Sequence, residues 1–285
     1  MIIRVGLLIL LSHFFVAPEY PDSSETELLE DFSREVPSCY KDTIVGASFL
    51  ALPSVRYSHK VAHEIADLEE DFDSLSESEA RQRLMNVPLN KRGSILAKLV
   101  EGKDFIDLGC GVPTYSFVPR IIAEKFKAKR YIGVDAQYVN PGNFTWTREI
   151  TERVSSMDSH CTRWGYNLMN KPGEITRTEF KEDFLNSWIA DDMLGTVSKY
   201  TGKNGVTFFI AGIQPDNETA KDYLRFLAKE IARTSNIGDA TIIVWPAPEV
   251  LVNGLLQSGF SENKEGVWRY LNVFIKTQSG PRFGQ

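Results

Sequence analysis

A glycine-rich turn directly follows an apolar run near the middle of the chain. Asp107 and Leu108 end the apolar run, and Gly109, Cys110 and Gly111 form the turn ahead of a predicted helix. Glycine lets the backbone come close to a ligand, while free amides and the positive end of a helix favour an anionic group. The turn therefore predicts a ligand-binding loop.

A carboxylate ends the next apolar run. Residues 131–134 read Tyr-Ile-Gly-Val and are followed by Asp135. The ends of neighbouring parallel strands meet at one edge of a sheet, where a carboxylate can accept hydrogen bonds from ribose hydroxyls. An ordinary tight turn would explain Gly109 and Gly111 alone, whereas the turn, the helix and Asp135 together favour a nucleoside-bearing ligand.

The pattern of secondary structure that the sequence predicts from residue 92 onward indicates how these residues are positioned. Short β-rich runs alternate with helical stretches, which is typical of βαβ units in a parallel sheet. Strands are predicted at 104–108, 130–135, 174–180, 206–211, 240–245 and 267–277. Helices are predicted at 93–101, 115–127, 145–160, 217–233 and 248–258. Because the last strand alternates like an edge strand, we expect an α/β fold with a doubly wound, mostly parallel sheet and an antiparallel C-terminal strand.

The N-terminal third has a different character. Residues 18–37 are rich in Pro, Ser, Asp and Glu and predict a solvated linker, while helical periodicity appears at 41–52 and 56–86. Acidic side chains outnumber basic ones here. We therefore expect a helical N-terminal segment and three parts in the chain: an apolar segment 1–20, an acidic helical cap 21–90 and a ligand-binding domain 91–285.

The turn and the downstream acid resemble the class I S-adenosylmethionine-dependent methyltransferases. The first motif of that family, an acidic residue, a hydrophobic residue and Gly-x-Gly, is matched by Asp107 to Gly111, including Cys110. The resemblance implies S-adenosylmethionine as cofactor, with Gly109 and Gly111 flanking its methionine part. It also implies that Asp135, with its neighbour Ala136, holds the ribose.

Two further loops acquire roles from the same resemblance. An acidic residue after the third strand contacts the adenine amino group in the family, and Asp183 with its neighbour Phe184 fits that position. Asp183 could equally cap a helix that starts near Leu185. The loop after the fourth strand, with Ala211 and Gly212, would lie beside the transferred methyl group.

Two departures from the family pattern leave other readings open. Val112 and Pro113 replace the third glycine of many members, and the stretch from Asp135 to Asp183 is long enough for an insertion over the substrate side. An NAD-binding oxidoreductase is the rival cofactor reading, although its fingerprint would need Gly or Ala where Thr114 stands. A non-catalytic binding or scaffold protein with this fold is the rival from another class.

The acceptor is not identified by any motif. The sequence lacks the Asn/Asp-Pro-Pro-aromatic segment of adenine-N6 methyltransferases after the fourth strand, and it lacks a Pro-Cys nucleophile. A net charge of −6 without a basic stripe gives no strong nucleic-acid signal. We expect a small-molecule acceptor before a protein, and we assign no catalytic residue and no oligomeric state.

Other residues that could do chemistry have simpler explanations. His59 and His63, with Glu64, could form half a metal site or supply a base, but a polar helix face accounts for them, and no metal is expected. His160 beside Cys161 fits packing or surface. Trp245 precedes Pro246 near the expected acceptor mouth, where an aromatic core position is an equal alternative.

The cysteines and the N-terminal residues give different indications of the cellular location. Cys39, Cys110 and Cys161 lack CxxC spacing and cannot all pair, as expected of reduced thiols in the cytoplasm. Arg4 and the apolar run 5–17 resemble the start of a secretory signal, but the run is shorter than the about 20 residues that span a bilayer. A cytoplasmic protein is expected, with a signal, a membrane tether through residues 1–17 or a packed helix as alternatives.

Overall fold

The strands of this protein form two sheets. The computed structural model describes residues 30–51, 55–69, 72, 75–110, 117–135, 162–165, 186–189 and 192–279. The strands are β1 (Ser48–Ala51), β2 (Asp104–Leu108), β3 (Arg130–Val134), β4 (Thr162–Gly165), β5 (Asn186–Ile189), β6 (Val206–Ile210), β7 (Ile213–Pro215), β8 (Ala240–Val244), β9 (Phe260–Glu262) and β10 (Leu271–Lys276). The larger sheet has the order β5-β3-β2-β6-β8-β10-β9, and the smaller one β4-β1-β7.

Helices flank the larger sheet. They are α1 (Lys41–Gly46), α2 (Val55–Ala66), α3 (Glu77–Asn86), α4 (Lys91–Val100), α5 (Val118–Lys125), α6 (Met193–Lys199), α7 (Glu218–Thr234) and α8 (Glu249–Gln257). The strands β5, β3, β2, β6 and β8 run parallel, whereas β10 is antiparallel to both β8 and β9. The expected mixed α/β fold, mostly parallel with antiparallel strands at its C-terminal side, is confirmed.

The central strands are buried on both faces. Every residue of β2, β3, β6 and β8 is buried, which explains their continuous apolar runs. Because side chains alternate across a strand, Ile106 and Leu108 belong to a core with α6, α7 and α8, while Phe105 belongs to a second core with α2 to α5. Each large apolar side chain buried this way contributes roughly 1.5–3 kcal/mol.

The N-terminal helices are shorter than their periodicity predicts. The helix expected at 41–52 ends at Gly46, and residues 48–51 form β1 instead. The helix expected at 56–86 is two helices, because α2 ends before Asp67, which has a φ of 52°. A new helix then begins after Ser76, whose hydroxyl and Glu79 form a capping box.

Part of the expected solvated linker is packed onto the sheet. Within residues 30–37, Phe32 is buried against Tyr200, and the Asp31 carboxylate accepts a hydrogen bond from Arg130. The Arg130 guanidinium also donates to Asp104 at 3.0 and 2.7 Å, and the Tyr200 hydroxyl donates to Asp104 at 2.6 Å. Arg130 and Asp104 are buried, so this ionic cluster ties the N-terminal segment to the amino ends of β2 and β3.

The C-terminal strand is not the edge of the sheet. The edge strand expected at 267–277 begins only at Leu271 and lies between β8 and β9. Residues 260–262 form the edge strand β9 instead. Gly259, with a φ of 89°, reverses the chain between α8 and β9.

The smaller sheet connects three distant parts of the chain. Strand β1 pairs antiparallel with β7, which follows β6 almost directly, and with β4 from the stretch between β3 and β5. The backbone amide of Asp216 donates to the Ser48 carbonyl oxygen at 2.9 Å and extends this pairing. The N-terminal segment is therefore joined to the chain just beyond the carboxyl end of β6.

Within the residues that the structure describes, no helix is both long and apolar enough to cross a membrane.

Candidate functional site

Gly109 forms the turn expected after β2. Its φ of 76° is a left-handed conformation, which glycine adopts without the steric cost that other residues incur. The backbone amides of Gly109 and Cys110 both donate to the Val134 carbonyl oxygen, at 2.8 and 3.1 Å. These two amides hold the turn against β3 and do not serve a ligand, contrary to the expectation of free amides there. Gly111 lies outside the described residues.

Asp135 follows β3 at the same edge of the sheet. Its backbone amide donates to the Ile189 carbonyl oxygen of β5 at 3.2 Å, and its side chain is half-buried. Val134, to which the turn is hydrogen-bonded, directly precedes Asp135 in the chain. Gly109 and Asp135 are therefore neighbours, as their strand positions predict. Ala136 lies outside the described residues.

Asp107 is a buried carboxylate behind the turn. It accepts a hydrogen bond from the Tyr131 hydroxyl at 2.7 Å. Burial is the main cause that raises the pKa of Asp107, the Tyr131 hydrogen bond partly opposes it, and the negative charge of Asp135 adds to it; together they bring the pKa to about 7. Burial and the same two carboxylates raise the pKa of the Cys110 thiol well above its ordinary value. The site therefore has a negative field, and its thiol is protonated at neutral pH.

The third parallel strand differs from the prediction. Residues 174–180 lie outside the described residues, while residues 186–189, where a helix was expected to begin near Leu185, form β5. Asp183 and Phe184 also lie outside the described residues, and in the chain they precede β5 rather than follow it. The acid described after β5 is Asp192, and the role of Asp183 stays a prediction.

Asp192 and Met193 follow β5 at the start of α6. The Asp192 carboxylate caps α6 by accepting from the Gly195 amide at 2.7 Å, and it accepts from the Tyr223 hydroxyl at 3.0 Å. A Cβ atom built on Gly109 would lie 3.7 Å from both Met193 Sδ and Ile213 Cγ2. Met193 and Ile213 are thus apolar neighbours of the turn; Ile213 belongs to the loop that was expected near the ligand, whereas sequence reasoning missed Met193.

Ala211 and Gly212 follow β6, as predicted. Gly212 is buried with a φ of 71°, and the chain turns there into β7. In β7, Gln214 donates from Nε2 to the Pro246 carbonyl oxygen at 2.8 Å. The ends of β2, β3, β6 and β8 therefore meet at one edge, with Gly212 between Gly109 and the Trp245–Pro246 pair.

The carboxylate of Glu64 on α2 is bonded to the loop at 269–270. The Glu64 carboxylate is fully buried and accepts from the backbone amides of Arg269 and Tyr270, at 2.9 Å for the nearer Tyr270 contact. The His63 ring packs edge-on against Tyr270. The side chain of His59 lies outside the described residues. Among the residues that the structure describes, no group of three or more His, Cys, Asp or Glu side chains could hold a metal ion.

The chain is similar to solved methyltransferase structures over part of its length. No protein-family model and no curated protein matches the sequence. Among solved structures, a methyltransferase from Pyrococcus furiosus is similar over 79% of this chain and 97% of its own, at 16% identity and a TM-score of 0.36. An rRNA methylase from Streptococcus thermophilus matches 65% of this chain and 94% of its own, at 10% identity and a TM-score of 0.35. Precorrin-6y C5,15-methyltransferase from Geobacter metallireducens matches 66% of this chain and 89% of its own, at 10% identity and a TM-score of 0.35.

Proposed function

We propose that this protein is an S-adenosylmethionine-dependent methyltransferase. The observation that carries the proposal is the junction of Gly109 and Asp135. A left-handed glycine turn follows the central strand β2, and its amides are bonded to the residue before the carboxylate that ends β3. A nucleoside whose ribose hydroxyls donate to Asp135 would bring the rest of the ligand across Gly109, which has no side chain of its own to hinder a close approach.

The lining of the turn fits this cofactor. Met193 and Ile213 flank Gly109 with apolar side chains, which suit the neighbourhood of an adenine ring or a thioether chain. Asp107 and Asp135 give the edge a negative field, which attracts the positive charge of a sulfonium and an ammonium group. The same field would repel the diphosphate of a dinucleotide, so it favours S-adenosylmethionine over NAD.

The reaction requires alignment more than a dedicated catalytic side chain. When bound, the cofactor supplies an electrophilic sulfonium methyl group and its own leaving group. The chain has to hold the donor over β2 and β3, keep water away and place the acceptor in line with the methyl group. Gly212, at the end of β6, adds no side chain beside the proposed donor position. A small-molecule acceptor and a cytoplasmic location are part of the same proposal.

Replacement of Asp135 by alanine tests the proposed ribose contact. Hydrogen bonds to a charged acceptor contribute about 1.5–3 kcal/mol each, so we expect affinity for S-adenosylhomocysteine to fall by on the order of 10- to 100-fold in isothermal titration. Asp222→Ala is the matched control, because Asp222 is an exposed carboxylate paired with Arg225 on α7. The absence of any binding by the unmodified protein, or equal affinity in Asp135→Ala, would contradict the proposal.

Ionisation of Asp107 gives the proposal a pH signature. The pKa of Asp107 is raised to about 7, so its carboxylate loses its proton near neutral pH and then favours a cation nearby. S-adenosylmethionine and S-adenosylhomocysteine differ by the sulfonium charge. We expect preference for the charged ligand to grow between pH 6 and pH 8, by up to about tenfold, the equivalent of one pKa unit.

The Asp107→Asn variant isolates this effect. The amide has nearly the same shape and its oxygen can still accept from Tyr131, but it does not titrate. The affinity ratio of the two ligands should be constant with pH in this variant, and comparing ratios cancels any titration of the amino-acid part that both ligands share. A ratio that rises equally with pH in both proteins would exclude Asp107 as the source.

Turnover separates an enzyme from a binding protein with the same site. Incubation with methyl-labelled S-adenosylmethionine and an extract of small metabolites should yield a labelled product and S-adenosylhomocysteine in equal amounts. Loss of both products in Asp135→Ala would tie the transfer to this site. Cofactor binding without any labelled product in extracts of small molecules or proteins would favour the scaffold reading.

A further inference from the structure

A group of aromatic and basic side chains lies at the carboxyl end of β8. This aromatic–basic patch consists of Lys60, His63, Trp245, Arg269 and Tyr270. Trp245 is 57% exposed, which is unusual for a tryptophan, and Lys60 Nζ lies 5.3 Å from the centroid of its ring. The Arg269 guanidinium carbon lies 5.1 Å from the ring centroid of Tyr270. Two cations are thus held against two aromatic rings.

Buried hydrogen bonds hold the patch together. The Trp245 amide donates to the Tyr270 carbonyl oxygen at 2.8 Å, so the two aromatic residues are tied through their backbones. Glu64 is fully buried and accepts from the amides of Arg269 and Tyr270, while Lys60 lies one helical turn away on the same helix. Lys60 also donates to the Trp245 carbonyl oxygen, at 3.5 Å. The side chains are therefore arranged by the fold before any ligand arrives.

The patch lies on the acceptor side of the proposed donor site. Strand β8 is separated from β2 by β6 alone, and strands are spaced about 4.8 Å apart, so the ends of β2 and β8 are roughly 10 Å from each other. The contact of Gln214 with Pro246 joins the end of β8 to β7, whose Ile213 flanks Gly109. A small molecule on Trp245 would therefore lie at the same edge of the sheet as Gly212 and the proposed donor site.

We propose that the aromatic–basic patch is the acceptor subsite, and that the acceptor is a small planar ring bearing an anionic group. This inference rests on the methyltransferase proposal and specifies its substrate class. An exposed tryptophan stacks a planar ring, and Lys60 and Arg269 supply charge for a carboxylate or phosphate beside it. Two cations suit one small anion, whereas a chain with net charge −6 lacks the basic stripe that a nucleic acid would need.

Three probes of similar shape separate the two features in the full-length protein. They are 2-naphthoate, its uncharged alcohol 2-naphthylmethanol and its saturated analogue decahydronaphthalene-2-carboxylate, titrated calorimetrically in the presence of saturating S-adenosylhomocysteine. We expect naphthoate to bind about tenfold more tightly than either analogue, from one charge contact and one stacking contact. Equal affinity for all three, or no binding of naphthoate, would overturn the proposal.

Substitutions then assign each preference to a side chain. Lys60→Met should reduce the preference for naphthoate over the alcohol, and Trp245→Leu should reduce its preference over the saturated acid. Lys229→Met is the matched control, because Lys229 Nζ lies 5.4 Å from the Phe226 ring on α7, away from this edge. Unchanged preferences in Lys60→Met and Trp245→Leu, or an equal loss in Lys229→Met, would overturn the assignment.

Two further ligands identify the source of the ring and anion. Uridine monophosphate that competes with naphthoate supports a nucleotide acceptor, while failure to compete supports an aromatic acid. A hexauridylate that binds at least tenfold more tightly than the monophosphate, with a steep salt dependence, would overturn the small-ligand proposal in favour of a nucleic acid. Titration of S-adenosylhomocysteine alone separates failure of this inference from failure of the cofactor proposal.

Discussion

Replacement of Gly109 by valine is expected to weaken S-adenosylhomocysteine binding by on the order of 100-fold, or about 2.7 kcal/mol. A left-handed backbone costs an L-residue roughly 1–2 kcal/mol, and a β-branched side chain tolerates it poorly. A Cβ on Gly109 already lies 3.7 Å from Met193 Sδ and Ile213 Cγ2, so the valine methyl groups would press on these side chains and distort the turn that the ligand is proposed to approach. Isothermal titration measures the affinity.

Gly102→Val is the control that separates strain from lost binding. Gly102 has a φ of 72°, nearly that of Gly109, but a Cβ there meets no atom within 4 Å. Both variants should lose similar stability in urea unfolding, while only Gly109→Val loses affinity for the ligand. A matching loss of affinity in both variants, or none in Gly109→Val, would show that the turn does not approach a ligand.

Removal of the Asp104 carboxylate is expected to lower the free energy of unfolding by about 3–5 kcal/mol, because it leaves a buried guanidinium without its main counter-charge. Arg130 is buried and donates twice to Asp104, whereas its other partner, Asp31, is more exposed. Asp104→Ala should therefore shift the midpoint of urea unfolding strongly to lower denaturant concentration.

Two milder variants calibrate that loss. Tyr200→Phe removes one hydrogen bond to Asp104 and should cost about 1 kcal/mol, and Asp31→Ala should cost less than Asp104→Ala because its carboxylate is more exposed. The cluster lies at the amino ends of the strands, opposite the candidate site. Ligand affinity should therefore stay unchanged in Tyr200→Phe, and a selective loss of affinity there would contradict a purely structural role.

Strands with strong apolar patterns were predictable from the sequence, and short polar ones were not. The runs in β6 and β8 are wholly buried, so their composition reports their place in the sheet. Strand β5 has the sequence Asn-Ser-Trp-Ile, and backbone hydrogen bonds to β3 define it without an apolar run. Residues 48–51 lie in a stretch with helical periodicity, yet they form β1. The partners of β1, β4 and β7, lie far along the chain, so the local sequence pattern does not indicate this pairing.

The candidate site shows the same division. Gly109 and Asp135 were predictable because strand order alone brings their positions together. Met193 and Ile213 become neighbours of the turn only in the folded chain. The sequence signal for Met193 is Asp192, an acid that caps a helix soon after a strand. That signal was not recognised because the strand β5 was not predicted. Glu64 appeared to be part of a polar helix face, although its carboxylate is buried under the loop at 269–270.

The pairing of β1 with β7 has a consequence for how the protein is made. Ser48 and Asp216 are 168 positions apart, so β1 leaves the ribosome long before its partner has been synthesised. Contacts this distant in sequence form slowly, because a long loop must close before they are made. The nascent chain must carry β1 without its β7 partner through most of translation, a period in which chaperones have access to that free strand edge and slower elongation would prolong its exposure.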